Sequence, residues 1–212
     1  MSKKLIEYAG VAASVILIAF GIGSVVAGFA GHNTVRDNLK KEQIVGTPDM
    51  TPSAIAAEAK GAGLKNVDLP TCSVANKPID SGGRARCFAS YMRIHTLEQT
   101  GGQLYSQMGQ YIDKSGNPTS DVKAAAIDPK TNKPVANQAR NIWVTETALT
   151  TALNTSFFAQ NVALFSIIMG FALLLTGGGL GVLALGPVRA LVTEDRKRKT
   201  PRTAGAVPAA QA

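Results

Sequence analysis

Few side chains in this sequence have the types and spacing that chemistry requires. His95 and Glu98 are three residues apart in a segment with helical periodicity, so an imidazole and a carboxylate could face one metal ion. A catalytic zinc site needs three protein ligands and an open position, and the only other histidine, His32, borders an apolar segment. We therefore expect His95 to be a hydrogen-bonded helix histidine, and we predict neither a metal site nor a cofactor.

Two further fragments imitate known sites. Residues 79–83, with Ser81 at the centre, are similar to the nucleophile loop of trypsin-like proteases, but that chemistry needs a base and a carboxylate on a rigid scaffold. Residues 113–121 alternate oxygen-bearing side chains as a calcium loop does, yet Pro118 stands where the sharp turn needs glycine and Ala124 where the loop needs glutamate. We predict polar turns at both places. Because no P-loop, dinucleotide fingerprint or H-E-x-x-H motif is present either, we predict no catalytic residues and no enzymatic activity.

The two cysteines of the chain, Cys72 and Cys87, lie between its two longest apolar segments. An even number of cysteines in a segment outside the cytoplasm favours a disulfide bond, and two buried thiols are the alternative. We predict the disulfide.

Two long apolar segments enclose the part of the chain that holds these candidate residues. Residues 9–31 and 162–188 contain no charged side chain, and each exceeds the roughly 20 residues that cross a bilayer as a helix. The first is also longer than the apolar stretch of about 7–15 residues found in a cleaved signal peptide. We predict transmembrane helices over residues 9–31 and 161–188. Because these segments hold no ionisable side chain, they do not resemble those of a transporter or pump.

Small residues recur at intervals of four in both segments, a spacing that lets helix backbones approach closely in lipid. General tolerance of glycine in membrane helices is the alternative interpretation. The predicted packing positions are Ser24, Gly28, Ala27, Gly31, Gly177 and Gly181.

The net charge of +8 is spread unevenly along the chain. Residues 32–160 carry +3, and residues 187–212 carry +4 in a far shorter segment. Basic residues after the second apolar segment predict a cytoplasmic C-terminus, and two spans then place the N-terminus on the same side. No basic face with base-reading groups is present, so we predict no nucleic-acid partner. The residues expected to set topology and contact lipid headgroups are Arg189, Arg196, Lys197, Arg198 and Lys199.

The resulting plan has five parts. A cytoplasmic N-terminus (1–8) and the first span (9–31) precede an extracytoplasmic domain (32–160), and the second span (161–188) leads into a basic disordered tail (189–212). The fold class is mainly α: two transmembrane helices flanking a helical domain with long loops.

Within the outer domain, apolar residues follow a helical rather than an alternating period. Thr51-Pro52 predicts the start of a helix over 53–60, and we expect further helices over 84–100 and 103–112. Segments 61–83 and 113–134 are rich in glycine, proline and asparagine and are predicted to be loops. From about Val135 one continuous helix is expected to run into the second span.

Two stretches carry a resemblance to a known group of proteins. They are residues 93–102, followed by Tyr105 and Met108, and residues 141–159, which begin Asn-Ile-Trp-Val. With the two-span plan, they resemble uncharacterised actinobacterial membrane proteins, some of which are called aromatic ring-opening dioxygenases. The resemblance implies the topology and a high-GC Gram-positive host. It implies no such activity, because a ring-opening dioxygenase needs several histidine or carboxylate ligands and His95 is the one suitable histidine.

These observations predict a non-catalytic membrane protein that organises a cell-envelope complex, as a homo-oligomer or an accessory subunit. Its expected partners are membrane lipids and either itself or another membrane protein, and no small-molecule substrate is predicted. A membrane-anchored sensor or ligand-binding module is the alternative.

Overall fold

The computed structural model describes residues 3–188, 190, 193 and 194. The described chain is mainly helical, as predicted. The helices are α1 (Lys3–Lys41), α2 (Pro52–Gly61), α3 (Gly82–Gln99) and α4 (Gln138–Leu183). A 3-10 turn spans Tyr105–Gln107, and a π-helical turn, Ala184–Val188, follows α4. The chain forms two compact units: the described parts of residues 1–29 and 165–212 make unit 1, and Ala30–Leu164 makes unit 2.

The two longest helices confirm the prediction of two apolar segments. Leu5–Lys41 and Gln138–Pro187 contain windows of mean hydropathy 2.3 and 2.1 and are long and apolar enough to cross a membrane. Only 11% of the first window and 17% of the second are buried inside the structure, whereas the core helices of a soluble domain are mostly buried. Large apolar side chains such as Phe20 and Leu175 are 68% and 78% exposed. An apolar surface of this kind suits lipid rather than water. The continuous helix α4 was also predicted.

Unit 1 is an antiparallel helix pair whose backbones meet at small residues. A Cβ added at Gly21 would lie 3.0 Å from the Gly170 carbonyl oxygen, and one at Gly177 would lie 2.9 Å from Ile18. The buried Ser14 hydroxyl donates to the Gly177 carbonyl at 2.7 Å. Any larger side chain at these glycines would push the helices apart.

Unit 2 has a conventional apolar core beneath its helices. α2 begins as predicted, with Pro52 in its first turn and the Thr51 hydroxyl accepting from the Ala54 N–H at 3.3 Å. α3 is capped in the same way by Ser81. The core consists of Leu39, Met50, Ile55, Ala59, Val74, Ile79, Ala85, Cys87, Phe88, Ala89, Tyr91, Ile94 and Leu153.

The helix predicted over 103–112 is wrong. The structure has the 3-10 turn there, followed by strand β1 (Tyr111–Ile112). Gly101 and Gly102 adopt positive φ angles of 61° and 76°, and a Cβ at Gly109 would collide with the Thr119 backbone. The apolar residues at helical spacing therefore do not form one helix face. Met108 is buried, whereas Leu104 and Tyr105 are exposed.

The loop predicted over 113–134 contains short hairpins that the sequence did not indicate. β1 pairs antiparallel with β2 (Pro118–Thr119), and β3 (Ile127–Asp128) pairs antiparallel with β4 (Lys133–Pro134). Strands of two residues are too short to produce a recognisable alternation of apolar and polar side chains.

Candidate functional site

The predicted disulfide between Cys72 and Cys87 is confirmed, with the two sulfur atoms bonded and the Cα atoms 6.1 Å apart. It joins the segment before Ser73 to the buried face of α3. The Tyr91 hydroxyl, one turn further along α3, donates to the Cys72 carbonyl at 2.6 Å. The next residues, Ser73 and Val74, both donate to the Met50 carbonyl at 3.2 Å. This series of bonds connects the middle of α3 to the turn that precedes α2.

That turn brings Asp49 to a histidine and a glutamate. His95 Nε2 lies 3.2 Å from Asp49 Oδ2 and 3.4 Å from Glu58 Oε2. One ligand atom from each of the three residues lies within 4.8 Å of the other two. Among the residues that the structure describes, this is the one group of three such side chains close enough to hold a metal ion. We refer to Asp49, Glu58 and His95 as the His–carboxylate cluster.

Each member of the cluster stands on a segment fixed by buried neighbours. Asp49 precedes Met50, which is 2% exposed, and Glu58 precedes Ala59, which is 3% exposed. His95 follows Ile94, also 2% exposed. The cluster itself is partly accessible, because the carboxylate side chains keep 37% and 31% of their exposure.

Two electrostatic features distinguish the cluster. The Thr47 hydroxyl, through its hydrogen bond, lowers the pKa of Asp49, burial opposes this effect, and the nearby His95 lowers the pKa further. His95 Nε2 is fully buried and has no hydrogen-bond partner, although both carboxylates are near. This ring nitrogen lies within 3.4 Å of two carboxylate oxygens without the geometry needed to donate a hydrogen bond to either.

The metal pairing considered from the sequence, His95 with Glu98, does not occur in the structure. Glu98 is exposed and lies outside the cluster. The carboxylates that approach His95 come from a turn and a different helix, so helical spacing could not indicate them. The only local signals were the Thr51-Pro52 helix start, which fixes where Asp49 stands, and the position of Glu58 within α2.

The two imitations of known sites have structural roles: the predicted polar turn is present at Asp113, whereas Ser81 caps a helix that begins at Gly82 instead of lying in a turn. Ser81 accepts from the Arg84 N–H as the cap of α3, and Arg84 pairs with Asp80 at 2.8 Å. Asp113 Oδ1 accepts from the backbone N–H groups of Ser115 and Asn117 at 2.8 and 2.9 Å, closing a turn.

The predicted packing residues fall into two groups. Gly177 and Gly181 contact α1, where a Cβ at Gly181 would meet the Ser14 hydroxyl at 2.7 Å. Within unit 2, a Cβ at Gly31 would lie 3.4 Å from that of Ala163, and in unit 1 Gly28 is buried.

Ser24 and Ala27 belong to a different surface. With Ala19, Phe20, Gly23 and Ser166 they line an open groove of about 450 Å³, which we call the small-residue groove. A Cβ added at Gly23 would meet no atom within 4 Å. These residues therefore remain accessible after α1 and α4 have packed against each other.

The residues predicted to set topology and contact lipid (Arg189, Arg196, Lys197, Arg198 and Lys199) lie outside the described residues, so their roles stay predictions.

Comparison with protein-family models, with curated proteins and with solved structures found no match to this chain. The resemblance to actinobacterial two-span membrane proteins therefore stays a prediction.

Proposed function

We propose that this chain is a non-catalytic integral membrane protein that organises a cell-envelope complex, as a homo-oligomer or an accessory subunit. The observation that carries the proposal is the small-residue groove. It leaves Gly23 and Ala27 exposed on an apolar helix pair in which Gly21, Gly170, Gly177 and Gly181 are already used for internal packing. Small residues accessible to lipid permit the close approach of a further helix.

The proposed topology has both termini in the cytoplasm and residues 32–160 on the other side of the membrane. It is supported by the disulfide, because such bonds persist in oxidising compartments. It is also supported by the density of basic residues after the second apolar segment, which is typical of cytoplasmic ends.

Between the two forms of the proposal, we favour self-association. A surface that binds its own copy about a two-fold axis needs no second protein. In that arrangement Gly23 of one copy meets the same groove of the other, and the exposed Phe20 covers its edge.

The test replaces Gly23 with leucine in the full-length protein, purified in mild detergent. We expect the wild type to be a dimer or larger by light scattering, and Gly23→Leu to weaken the association at least about tenfold, because a branched side chain fills the groove. Gly179→Leu is the matched control: Gly179 also has no atom within 4 Å of an added Cβ, but it does not line the groove.

Two results count against the proposal. One is a wild-type protein that is monomeric at every concentration and brings no membrane protein with it from native membranes. The other is an equal effect of Gly23→Leu and Gly179→Leu, which would indicate damage to the helix rather than to an interface.

A second candidate, a membrane-anchored ligand-binding module, is favoured by one cavity in unit 2. This cavity of about 460 Å³ is bordered by Lys65, Arg93 and Ser90 above the apolar Ile94 and Leu97. Polar groups around an apolar floor are typical of small-molecule sites. A ligand that raises the melting temperature of the wild type but not of Ser90→Leu would favour this function over assembly.

A further inference from the structure

We propose that Asp49, Glu58 and His95 bind one divalent transition-metal ion, and that Zn²⁺ is the ion best suited to them. The site is independent of the assembly proposed above. One imidazole nitrogen and two carboxylate oxygens form a mixed donor set that accepts Zn²⁺ readily, whereas Mg²⁺ and Ca²⁺ prefer oxygen alone.

The two distances from His95 Nε2 to the carboxylates match those between ligands of one coordination shell. Zinc bonds to nitrogen and oxygen are about 2.0–2.2 Å long, so two ligands of a tetrahedral ion lie about 3.3–3.6 Å apart. His95 Nε2 lies 3.2 Å from the Asp49 oxygen and 3.4 Å from the Glu58 oxygen. The ion therefore needs only small side-chain adjustments to fit between them.

The absence of a hydrogen bond at His95 Nε2 is a second reason. This atom is buried without a hydrogen bond, and leaving a buried polar atom unpaired has a free-energy cost. An ion on its lone pair removes that cost. It also neutralises two carboxylates that converge on one point. The competing arrangement is a protonated imidazole that pairs with both carboxylates and holds no metal.

The surroundings resemble those of a built site. Three separate segments supply the ligands: the turn before α2, the middle of α2, and α3. Met50, Ala59 and Ile94, the neighbours of the three ligands, are buried, so the backbone is fixed at all three positions. Three protein ligands leave at least one coordination position, which the partial exposure of Asp49 and Glu58 opens to water.

The experiment uses the full-length, tag-free protein in mild detergent, stripped of metal with a chelator and titrated with Zn²⁺. We expect one equivalent to bind and the melting temperature to rise with it. Loss of an outer partner of a ligand already weakens metal affinity by about 10–100-fold. We therefore expect His95→Gln and Glu58→Gln each to weaken it at least about tenfold and to abolish the thermal shift.

The controls use similar residues outside the cluster. His32→Gln removes the only other histidine, which contacts Gln160 at 3.0 Å. Glu98→Gln removes an exposed carboxylate on the same helix as His95. Both variants should bind one equivalent with the affinity of the wild type. If His95→Gln fails to fold by circular dichroism, Asp49→Asn decides, because that side chain is partly exposed.

Three results would overturn the proposal. The wild type could bind no Zn²⁺ below millimolar concentration, as the protonated-histidine arrangement requires. His95→Gln could bind as tightly as the wild type. Finally, bound Co²⁺, used as a spectroscopic substitute, could give the same visible spectrum in the wild type and in His95→Gln, which would place the metal elsewhere on the chain.

Discussion

The two units of this protein bury opposite kinds of surface. In unit 1 the exposed side chains are large and apolar, such as Phe20 and Leu175, whereas the buried ones include the hydroxyl of Ser14. In unit 2 the buried side chains are large and apolar, with Ile55 and Tyr91 at 0% exposure. The hydrophobic effect can stabilise only unit 2 in this way. Unit 1 depends on close backbone packing at glycines, as helix pairs in lipid do.

The largest predicted effect is the difference in stability loss between an isoleucine-to-alanine substitution in unit 2 and one in unit 1. Ile55→Ala should destabilise unit 2 by about 2–5 kcal/mol, because it leaves a cavity in a closed core. Ile16→Ala, at a side chain 56% exposed in unit 1, should leave that stability unchanged. Unfolding of the full-length protein in detergent can be followed by the fluorescence of Trp143, the single tryptophan, which is buried in unit 2. Equal losses from the two variants would contradict the comparison.

Removal of the disulfide should have the next largest effect. The bond joins cysteines 15 residues apart, and closing such a loop stabilises a fold by about 3 kcal/mol. Replacing both Cys72 and Cys87 with serine should lower the midpoint of Trp143 unfolding by a corresponding amount. The same variant should weaken Zn²⁺ binding, because the bond positions the turn of Asp49 relative to α3. A midpoint that does not move would show that the loop is already ordered without the bond.

How far the sequence could predict this structure also differs between the units. The two long apolar helices of unit 1 were predicted, because a long uncharged segment has only one way to satisfy its backbone in a bilayer. In unit 2, α2 was predicted from its Thr51-Pro52 start, and the helix predicted over 84–100 corresponds to α3. The 103–112 helix was wrong, because positive φ angles at Gly101 and Gly102 redirect the chain.

The candidate site was predicted least well. His95 was recognised as the one suitable histidine, yet its carboxylates, Asp49 and Glu58, are far from it in sequence. Only the packing of α2 against α3 and the bonds around Cys72 bring them together. Contacts of this kind leave no periodic pattern in a single sequence.

The packing of unit 1 should be sensitive to side-chain size. Gly21→Leu should destabilise the helix pair by about 1–3 kcal/mol, because the added atoms collide with Leu174 and the Gly170 backbone. Gly179→Leu, at a position with open space, is the control. Helix content measured by circular dichroism while SDS is added to mild detergent reports the loss. If both variants behave as the wild type, the close helix contact is absent.

The smallest predicted effect is a loss of stability in alkaline solution. Burial raises the pKa of Tyr91 above its ordinary value of 10.0. The unfolded chain therefore releases this proton near pH 10, while the folded chain still holds it. The contribution of neutral, buried Tyr91 to the free energy of unfolding is therefore fully present below about pH 10. It is lost as the pH rises toward the raised pKa of the folded state.

Tyr91→Phe should remove this part of the alkaline decline and cost about 1 kcal/mol at neutral pH, since the bond to the Cys72 carbonyl is lost. Tyr105→Phe, at a tyrosine 44% exposed, should keep the decline. Unfolding midpoints between about pH 8 and 11 would test this. An unchanged slope in Tyr91→Phe would refute the assignment.

The central proposal, that unit 2 lies outside the cytoplasm while two apolar helices cross the membrane, can be tested by labelling single added cysteines. Lys123→Cys lies at an exposed position of unit 2, and the two native cysteines are bonded and unreactive. Thr203→Cys lies in the C-terminal segment. We expect a membrane-impermeant maleimide to label Lys123→Cys in intact spheroplasts and Thr203→Cys only after permeabilisation. Labelling of Lys123→Cys only after permeabilisation would contradict the proposed topology.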